Sequence, residues 1–271
     1  MNYQICDVRN EASLDDVKLT LYLLDDSPDI PIHRRPVIII CPGGGYGFTS
    51  DREAEIVALQ FTAMGYHAAV LRYSVSPAVY PTALLELAGS VALLRQHADE
   101  YHIEKDKIVV SGFSAGGHLA GCLGMFWHQE WLSKKLSASP EDIRPNAMIL
   151  CYPVITSGEF AHDDSFRKLL AEQYDNKKTE LSLEYCVSEY TPRTFVWHTF
   201  QDALVPIQNT LFLVNELVKY HIPVEYHLFE KGGHALSIAN RLTGACDASV
   251  AEWIPLAHLW IERWIMDSPT D

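Results

Sequence analysis

The 271-residue sequence has little positive charge and no long apolar stretch, and both shortages narrow the possible partners. It holds 21 Lys and Arg against 35 Asp and Glu, a net charge of −14 that would repel phosphate backbones and anionic membrane surfaces. No run approaches the roughly eighteen apolar residues of a transmembrane helix, and the N-terminus lacks a basic segment leading into an apolar one. We therefore expect a protein that binds neither nucleic acid nor membrane.

Metal-binding and redox motifs are also missing. The six cysteines are widely spaced and form no C-x-x-C pair, which argues against a zinc knuckle or a thiol redox site and favours reduced thiols in a cytoplasmic protein. Twelve histidines are present, but none belongs to an H-E-x-x-H motif or a comparable ligand spacing. The sequence predicts neither a metal nor a cofactor.

What the sequence does contain is an alternation of strand-like and helix-like segments. Apolar runs rich in β-branched residues recur along the chain: VKLTLYLL, PVIIIC, YHAAVLRY, KIVVSGF, AMILCYPV, TFVWHTF and VEYHLFE. The inner runs are continuously apolar, which is typical of parallel strands covered by helices on both faces. We predict an α/β fold with a mostly parallel, doubly wound sheet, forming one domain over residues 1–271. Residues 156–191 break the rhythm with many charges and are predicted to be a small insertion near the active site, in place of a cap domain.

A serine between glycines follows one of these predicted strands. Gly112, Ser114 and Gly116 form a G-x-S-x-G motif directly after KIVV and before a helical pattern. Such a strand-to-helix turn exposes the serine hydroxyl and requires small flanking residues. Gly116, Ala120 and Gly124 recur every four residues, so the helix can approach the sheet closely. This context predicts that Ser114 is a nucleophile.

A serine nucleophile needs a base and an acid that orients the base, and both follow in the expected chain order of acid, then histidine. Asp202 lies shortly after the strand-like TFVWH, and His234 follows VEYHLFE across two glycines. These two residues are predicted to complete a catalytic triad. The rival residues are given structural roles, with His118, His198 and His227 packed in the core and Asp163 and Asp164 on the surface.

A glycine run after the strand VIII offers donors for an oxyanion. Gly43, Gly44 and Gly45 present backbone N–H groups that no side chain covers, and the amide of Ala115 follows the nucleophile. Neither phosphate-loop pattern is present, which argues against a nucleotide site. Further on, Ser50 and Glu53 form a capping-box pattern, so we predict that Glu53 caps a helix and is not a catalytic acid.

With these motifs the chain resembles the α/β-hydrolase superfamily, and more narrowly small acetyl esterases and acetylxylan-esterase-like carboxylesterases. The resemblance spans about residues 36–240, in the motifs CPGGGY, GFSAGGH, WHTFQDALVP and KGGHAL. It implies that Gly44 and Gly45 are oxyanion donors and that Tyr46 contacts the substrate. Pro42 stands where the lipase-like branch has histidine, and the match is closer to esterases that deacetylate sugars.

The resemblance predicts a serine carboxylesterase for short acyl groups whose partner is a small-molecule ester, such as an acetylated sugar. Two alternatives stay open. The same residues could cleave amides or formamides, or serve a serine peptidase, because the fold does not select the bond. The third reading is a hydrolase-fold receptor without catalysis. Residues 156–191 are rich in charge and have only short apolar patches, so we expect the protein to prefer acetyl groups to long acyl chains. The sequence gives no oligomeric state.

Overall fold

An eight-stranded sheet forms the centre of the computed structural model, which describes residues 1–267. The strand order is β1-β2-β4-β3-β5-β6-β7-β8. β2 is antiparallel to both of its neighbours, β1 and β4, and the other strands are parallel. The strands are β1 Asn2–Cys6, β2 Lys18–Leu23, β3 Arg35–Cys41, β4 His67–Arg72, β5 Ile103–Phe113, β6 Ala147–Cys151, β7 Arg193–Thr199 and β8 Val224–Phe229.

Helices cover both faces of the sheet. Two of them, α1 and α10, pack on one face, while α2, α3 and α8 pack on the other. The α-helices are α1 Glu55–Ala63, α2 Thr82–Gln96, α3 Ala115–Phe126, α4 Glu130–Lys135, α5 Pro140–Ile143, α6 Asp163–Leu170, α7 Tyr174–Lys177, α8 Gln208–Lys219, α9 Ala248–Ala251 and α10 Trp253–Asp267. Short 3₁₀ turns occupy Asp51–Glu53, Ala171–Gln173, Lys178–Leu181, Leu183–Tyr185 and Arg241–Thr243.

The continuous apolar runs have a direct structural explanation in β3. Val37 and Ile39 point into the core beside α2 and α3, whereas Ile38 and Ile40 point into the core beside α1 and α10. Successive side chains of a strand alternate between the two faces, so a strand that is covered on both faces must be apolar at every position. The predicted doubly wound sheet is confirmed.

One strand was not predicted. β1 lies at the edge of the sheet, and its side chains at Tyr3 and Ile5 are exposed. An edge strand with one neighbour and little burial needs no apolar run, so NYQIC carries no strong strand signal.

The segment predicted to be an insertion connects β6 to β7. It contains α6, α7 and three of the 3₁₀ turns, and Phe166, Leu169 and Leu170 anchor α6 in the core. Most of its charged side chains are exposed or half-buried, whereas Glu184 is buried. Within residues 1–267 the structure holds no helix that is both long and apolar enough to cross a membrane.

Candidate active site

Ser114 occupies the turn between β5 and α3. Its backbone has φ 53° and ψ −117°, a left-handed conformation that L-residues rarely adopt. A Cβ at Gly112 would lie 2.1 Å from the carbonyl oxygen of Gly116, and one at Gly116 would lie 2.1 Å from that of Cys41. Only glycine allows these approaches, and together they force the serine side chain toward the carboxyl end of the sheet.

Ser114, His234 and Asp202 form one row of hydrogen bonds. The Ser114 hydroxyl lies 2.8 Å from His234 Nε2, and His234 Nδ1 lies 2.6 Å from Asp202 Oδ2. An ionised carboxylate has no proton to donate, so the proton in the bond to Asp202 lies on His234 Nδ1. His234 Nε2 is then free to accept the hydrogen bond from the Ser114 hydroxyl. This arrangement suits proton transfer from the hydroxyl to the imidazole.

Asp202 is held at the end of β7 by groups on two sides. Its Oδ1 accepts from the backbone N–H groups of Leu204 and Val205, each at 3.0 Å, and its Oδ2 contacts His198 Nε2 at 3.2 Å. Burial alone would raise the pKa of Asp202, but the hydrogen bonds from His198 and His234 lower it well below its usual range. The carboxylate therefore stays ionised beside the imidazole.

The histidines that were expected to be structural are hydrogen-bonded in the structure. His118 is fully buried between the hydroxyl of Tyr46 and the carbonyl of Leu181, and burial lowers its pKa to about 4. His198 is fully buried too, but it also orients the acid, a contact that the sequence pattern does not reveal.

The glycine loop after β3 lies beside Ser114. Gly44 and Gly45 adopt φ 137° and 61°, and both line a pocket with Ser114 and His234. The loop is closed by hydrogen bonds from Gly47 N–H to the Gly44 carbonyl at 2.9 Å and from Ser50 N–H to the Gly43 carbonyl at 2.9 Å. Within residues 1–267 no hydrogen bond uses the amides of Gly44, Gly45 or Ala115.

Glu53 does not cap a helix, so the capping-box prediction is wrong. Ser50 makes no side-chain capping bond, and α1 begins only at Glu55. Glu53 is 2% exposed, and its carboxylate instead accepts from the Gly43 N–H at 2.8 Å and from the Tyr152 hydroxyl at 2.6 Å. The partners lie ten and 99 residues away in the chain, and a local pattern cannot encode them.

The prediction that Tyr46 contacts substrate is also not supported. Its side chain is 2% exposed and lies in the core, with its hydroxyl 2.8 Å from His118 Nδ1. The aromatic ring in the pocket belongs to Phe48, which is largely exposed.

The pocket above Ser114 has a volume of about 320 Å³. One wall comes from α6 and the residue before it, through His162, Asp164 and Lys168. His162 Nδ1 bonds to Ser165 Oγ at 2.7 Å. Burial and the nearby His234 lower the pKa of His162, so its ring is neutral at pH 7. Asp164, expected to be an ordinary surface residue, pairs with Lys168 at this wall.

The sequence analysis assigned none of the remaining pocket residues to a binding site. They are Phe48, Ser50, Arg52, Glu53, Leu204 and Ala235. Within residues 1–267 no group of three or more His, Cys, Asp or Glu side chains is placed to hold a metal ion.

The strand order, together with a serine turn at the end of β5, defines the α/β-hydrolase fold. The chain belongs to the BD-FAE family, whose model matches residues 27–217. It is similar to the acetyl ester-xyloside bifunctional hydrolase from Caldicellulosiruptor lactoaceticus, with 36% identity and a TM-score of 0.81 over 93% of this chain and 89% of that one.

Two curated relatives share part of their length with this chain. Endo-1,4-beta-xylanase B of Butyrivibrio fibrisolvens is 36% identical over 76% of this chain and 33% of its own length. Acetylxylan esterase of Xylanibacter ruminicola is 28% identical over 70% of this chain and 40% of its own length. The chain thus spans less than half of either relative.

Proposed function

We propose that the protein is a serine carboxylic ester hydrolase that removes short acyl groups of the acetyl type. The observation that carries this proposal is the hydrogen-bonded row from Asp202 through His234 to Ser114 at the floor of an open pocket. Relatives named as an acetylxylan esterase and an acetyl ester hydrolase support the same activity.

In this reaction the Ser114 oxygen attacks the ester carbonyl carbon while His234 Nε2 takes the hydroxyl proton. The tetrahedral intermediate then expels the alcohol, which receives that proton from His234, and an acyl-serine remains. Water attacks the acyl-serine in the same way, with His234 again as base, and releases the carboxylic acid. Asp202 stays ionised throughout and stabilises the imidazolium.

The negative oxygen of each intermediate needs donors that are already in place. The amides of Gly44, Gly45 and Ala115 are uncommitted and lie around Ser114, so we assign them as the oxyanion hole. These are main-chain groups in a glycine loop closed by its own hydrogen bonds, and they need little rearrangement during the reaction.

The pocket walls favour a polar alcohol, such as an acetylated sugar. His162, Asp164, Lys168 and Arg52 bring donors and acceptors to the pocket, whereas a long acyl chain would need an extended apolar trough. The xylan-related names of two relatives are consistent with this substrate class.

A substrate panel tests the proposal. Acetyl, butyryl and octanoyl esters of one alcohol should be compared with acetylated xylose and xylo-oligosaccharides, alongside a matched acetanilide. We expect hydrolysis of the acetyl esters, and labelling of Ser114 by a fluorophosphonate detected by peptide mass spectrometry. Preference for the anilide would favour an amidase, and failure of Ser114 to react would contradict a catalytic site.

A further inference from the structure

We propose that Glu53 is a positioning residue that, together with Tyr152, holds the oxyanion loop and the His234 loop in one fixed arrangement. The inference rests on the proposed esterase function, because it assigns Glu53 a part in that reaction without contact to the substrate's reacting atoms. The motif reading gave Glu53 a local capping role, and neither the triad nor the oxyanion hole accounts for a buried carboxylate at this place.

The first contact fixes the start of the oxyanion loop. Glu53 Oε2 accepts from the N–H of Gly43, the residue that directly precedes Gly44 and Gly45. A Cβ at Gly43 would lie 2.7 Å from the same oxygen and 2.8 Å from the Phe113 carbonyl, so the main chain is pressed against both the carboxylate and the serine turn. This contact fixes the direction of the Gly43 amide and so restrains the peptide units of Gly44 and Gly45 that follow it.

The second contact reaches the histidine loop. The Tyr152 hydroxyl donates to Glu53 Oε1 and accepts from the N–H of Ser237 at 2.9 Å. Ser237 lies three residues after His234, and the Tyr152 ring packs edge-on against the imidazole with centroids 5.0 Å apart. Tyr152 thus supports His234 through the backbone on one side and the ring on the other.

Burial makes this link stiff. Glu53, Tyr152 and Ser237 are each at most 2% exposed, so water does not compete for these hydrogen bonds. Burial raises the pKa of Glu53, while the bonds from Tyr152 and Gly43 and the proximity of His234 oppose that shift. A buried donor that loses its acceptor on Glu53 is left without a partner, which favours displacement of the loop that carries it.

The test uses Glu53→Gln and Tyr152→Phe. In the glutamine variant an NH₂ group replaces one acceptor oxygen, so either Gly43 or Tyr152 faces a donor. The phenylalanine variant keeps the ring against His234 but removes the hydroxyl that joins Glu53 to Ser237. Since donors are displaced and not deleted, we expect kcat for an acetyl ester to fall about ten- to hundredfold, less than the loss for a missing oxyanion donor, with little change in KM. Amide hydrogen exchange at Gly43 and Ser237 should become faster.

Matched controls lie two residues away. The Tyr22 hydroxyl donates to Glu55 Oε2 at 2.9 Å, which makes a second carboxylate–tyrosine pair, between β2 and the first turn of α1, and neither of its members lines the pocket. Glu55→Gln and Tyr22→Phe should leave kcat and both exchange rates unchanged. An equal kcat loss in these controls would overturn the proposal, because it would indicate general destabilisation.

The exchange measurement separates this inference from the proposed function. Unchanged kcat and unchanged exchange in folded Glu53→Gln would overturn the positioning role, whatever the substrate. If Glu53→Gln fails to fold, Tyr152→Phe, which retains the ring, decides by the same two readouts. In another outcome, the wild-type protein cleaves no ester while amide exchange at Gly43 and Ser237 is faster in Glu53→Gln than in the wild type. That result would support the anchoring role and contradict only the esterase assignment.

Discussion

The two sides of the pocket are built in different ways. On the reaction side, Ser114 and the glycine loop are held by main-chain geometry and buried hydrogen bonds, and their conformations leave room only for particular residues. On the covering side, the wall consists of side chains on α6, such as the Lys168–Asp164 pair at 2.7 Å, in which both partners are substantially exposed. The contrast supports a division of roles in the proposed esterase, in which the fold sets the chemistry and α6 selects the alcohol.

The largest effect should come from the reaction side. Ser114→Ala removes the nucleophile without filling space, and we expect turnover of an acetyl ester to fall by about 10⁴-fold or more. The circular dichroism spectrum and thermal midpoint should stay close to those of the wild type. Substantial residual turnover in the purified variant would mean that another group attacks the ester.

Within the glycine loop, Gly44→Ala and Gly45→Ala should lower kcat by different amounts. A methyl group at Gly44 would lie 2.1 Å from the Phe48 carbonyl oxygen, whereas one at Gly45 meets nothing closer than 3.7 Å. We expect Gly44→Ala to displace the loop and lower kcat by about a hundredfold or more, as for loss of an oxyanion donor. Gly45→Ala, which pays only a left-handed backbone cost, should lose much less. Equal losses would show that local space is not what fixes this loop.

The dependence of kcat/KM on acyl-chain length tests how much room the pocket leaves for the acyl group beside Ser114. A pocket of about 320 Å³ leaves room for only a short acyl chain beside the alcohol, so added methylenes gain little burial from water. We expect kcat/KM to peak at acetyl or propionyl and to fall about tenfold or more by octanoyl, measured below micelle-forming concentrations. An optimum at octanoyl would reveal an apolar channel behind the serine turn.

The smallest effect should come from the covering side and should depend on the alcohol. His162→Ala removes a neutral imidazole whose Nε2 has no hydrogen-bond partner within residues 1–267. We expect KM for an acetylated sugar to rise about three- to tenfold, the value of one modest hydrogen bond, with little change for an activated phenyl acetate. Lys219→Ala, on the exposed surface of α8, serves as the unaffected comparison. A similar loss on both esters would place His162 in the chemistry instead.

Motifs with a fixed local geometry could be read from the sequence. The glycines around Ser114 and the chain order of Asp202 and His234 predicted a triad, and in the structure these three side chains form one row of hydrogen bonds. The prediction was possible because the carboxyl ends of parallel strands meet at one edge of the sheet. The capping role predicted for Glu53 was wrong because the groups that donate to its carboxylate, the Gly43 N–H and the Tyr152 hydroxyl, lie outside the local pattern. His162 gave no signal, since its place depends on how residues 156–191 fold over the sheet.

The link from Glu53 to Ser237 has a consequence for synthesis. The glycine loop and the serine turn are synthesised early. Ser237, however, is held by a later element, because its carbonyl accepts a hydrogen bond from the indole N–H of Trp253, the first residue of α10. A growing chain can fold much of its sheet before α10 emerges from the ribosome. Under the proposed function, we therefore expect turnover to begin only after the first turn of α10 has packed against Ser237.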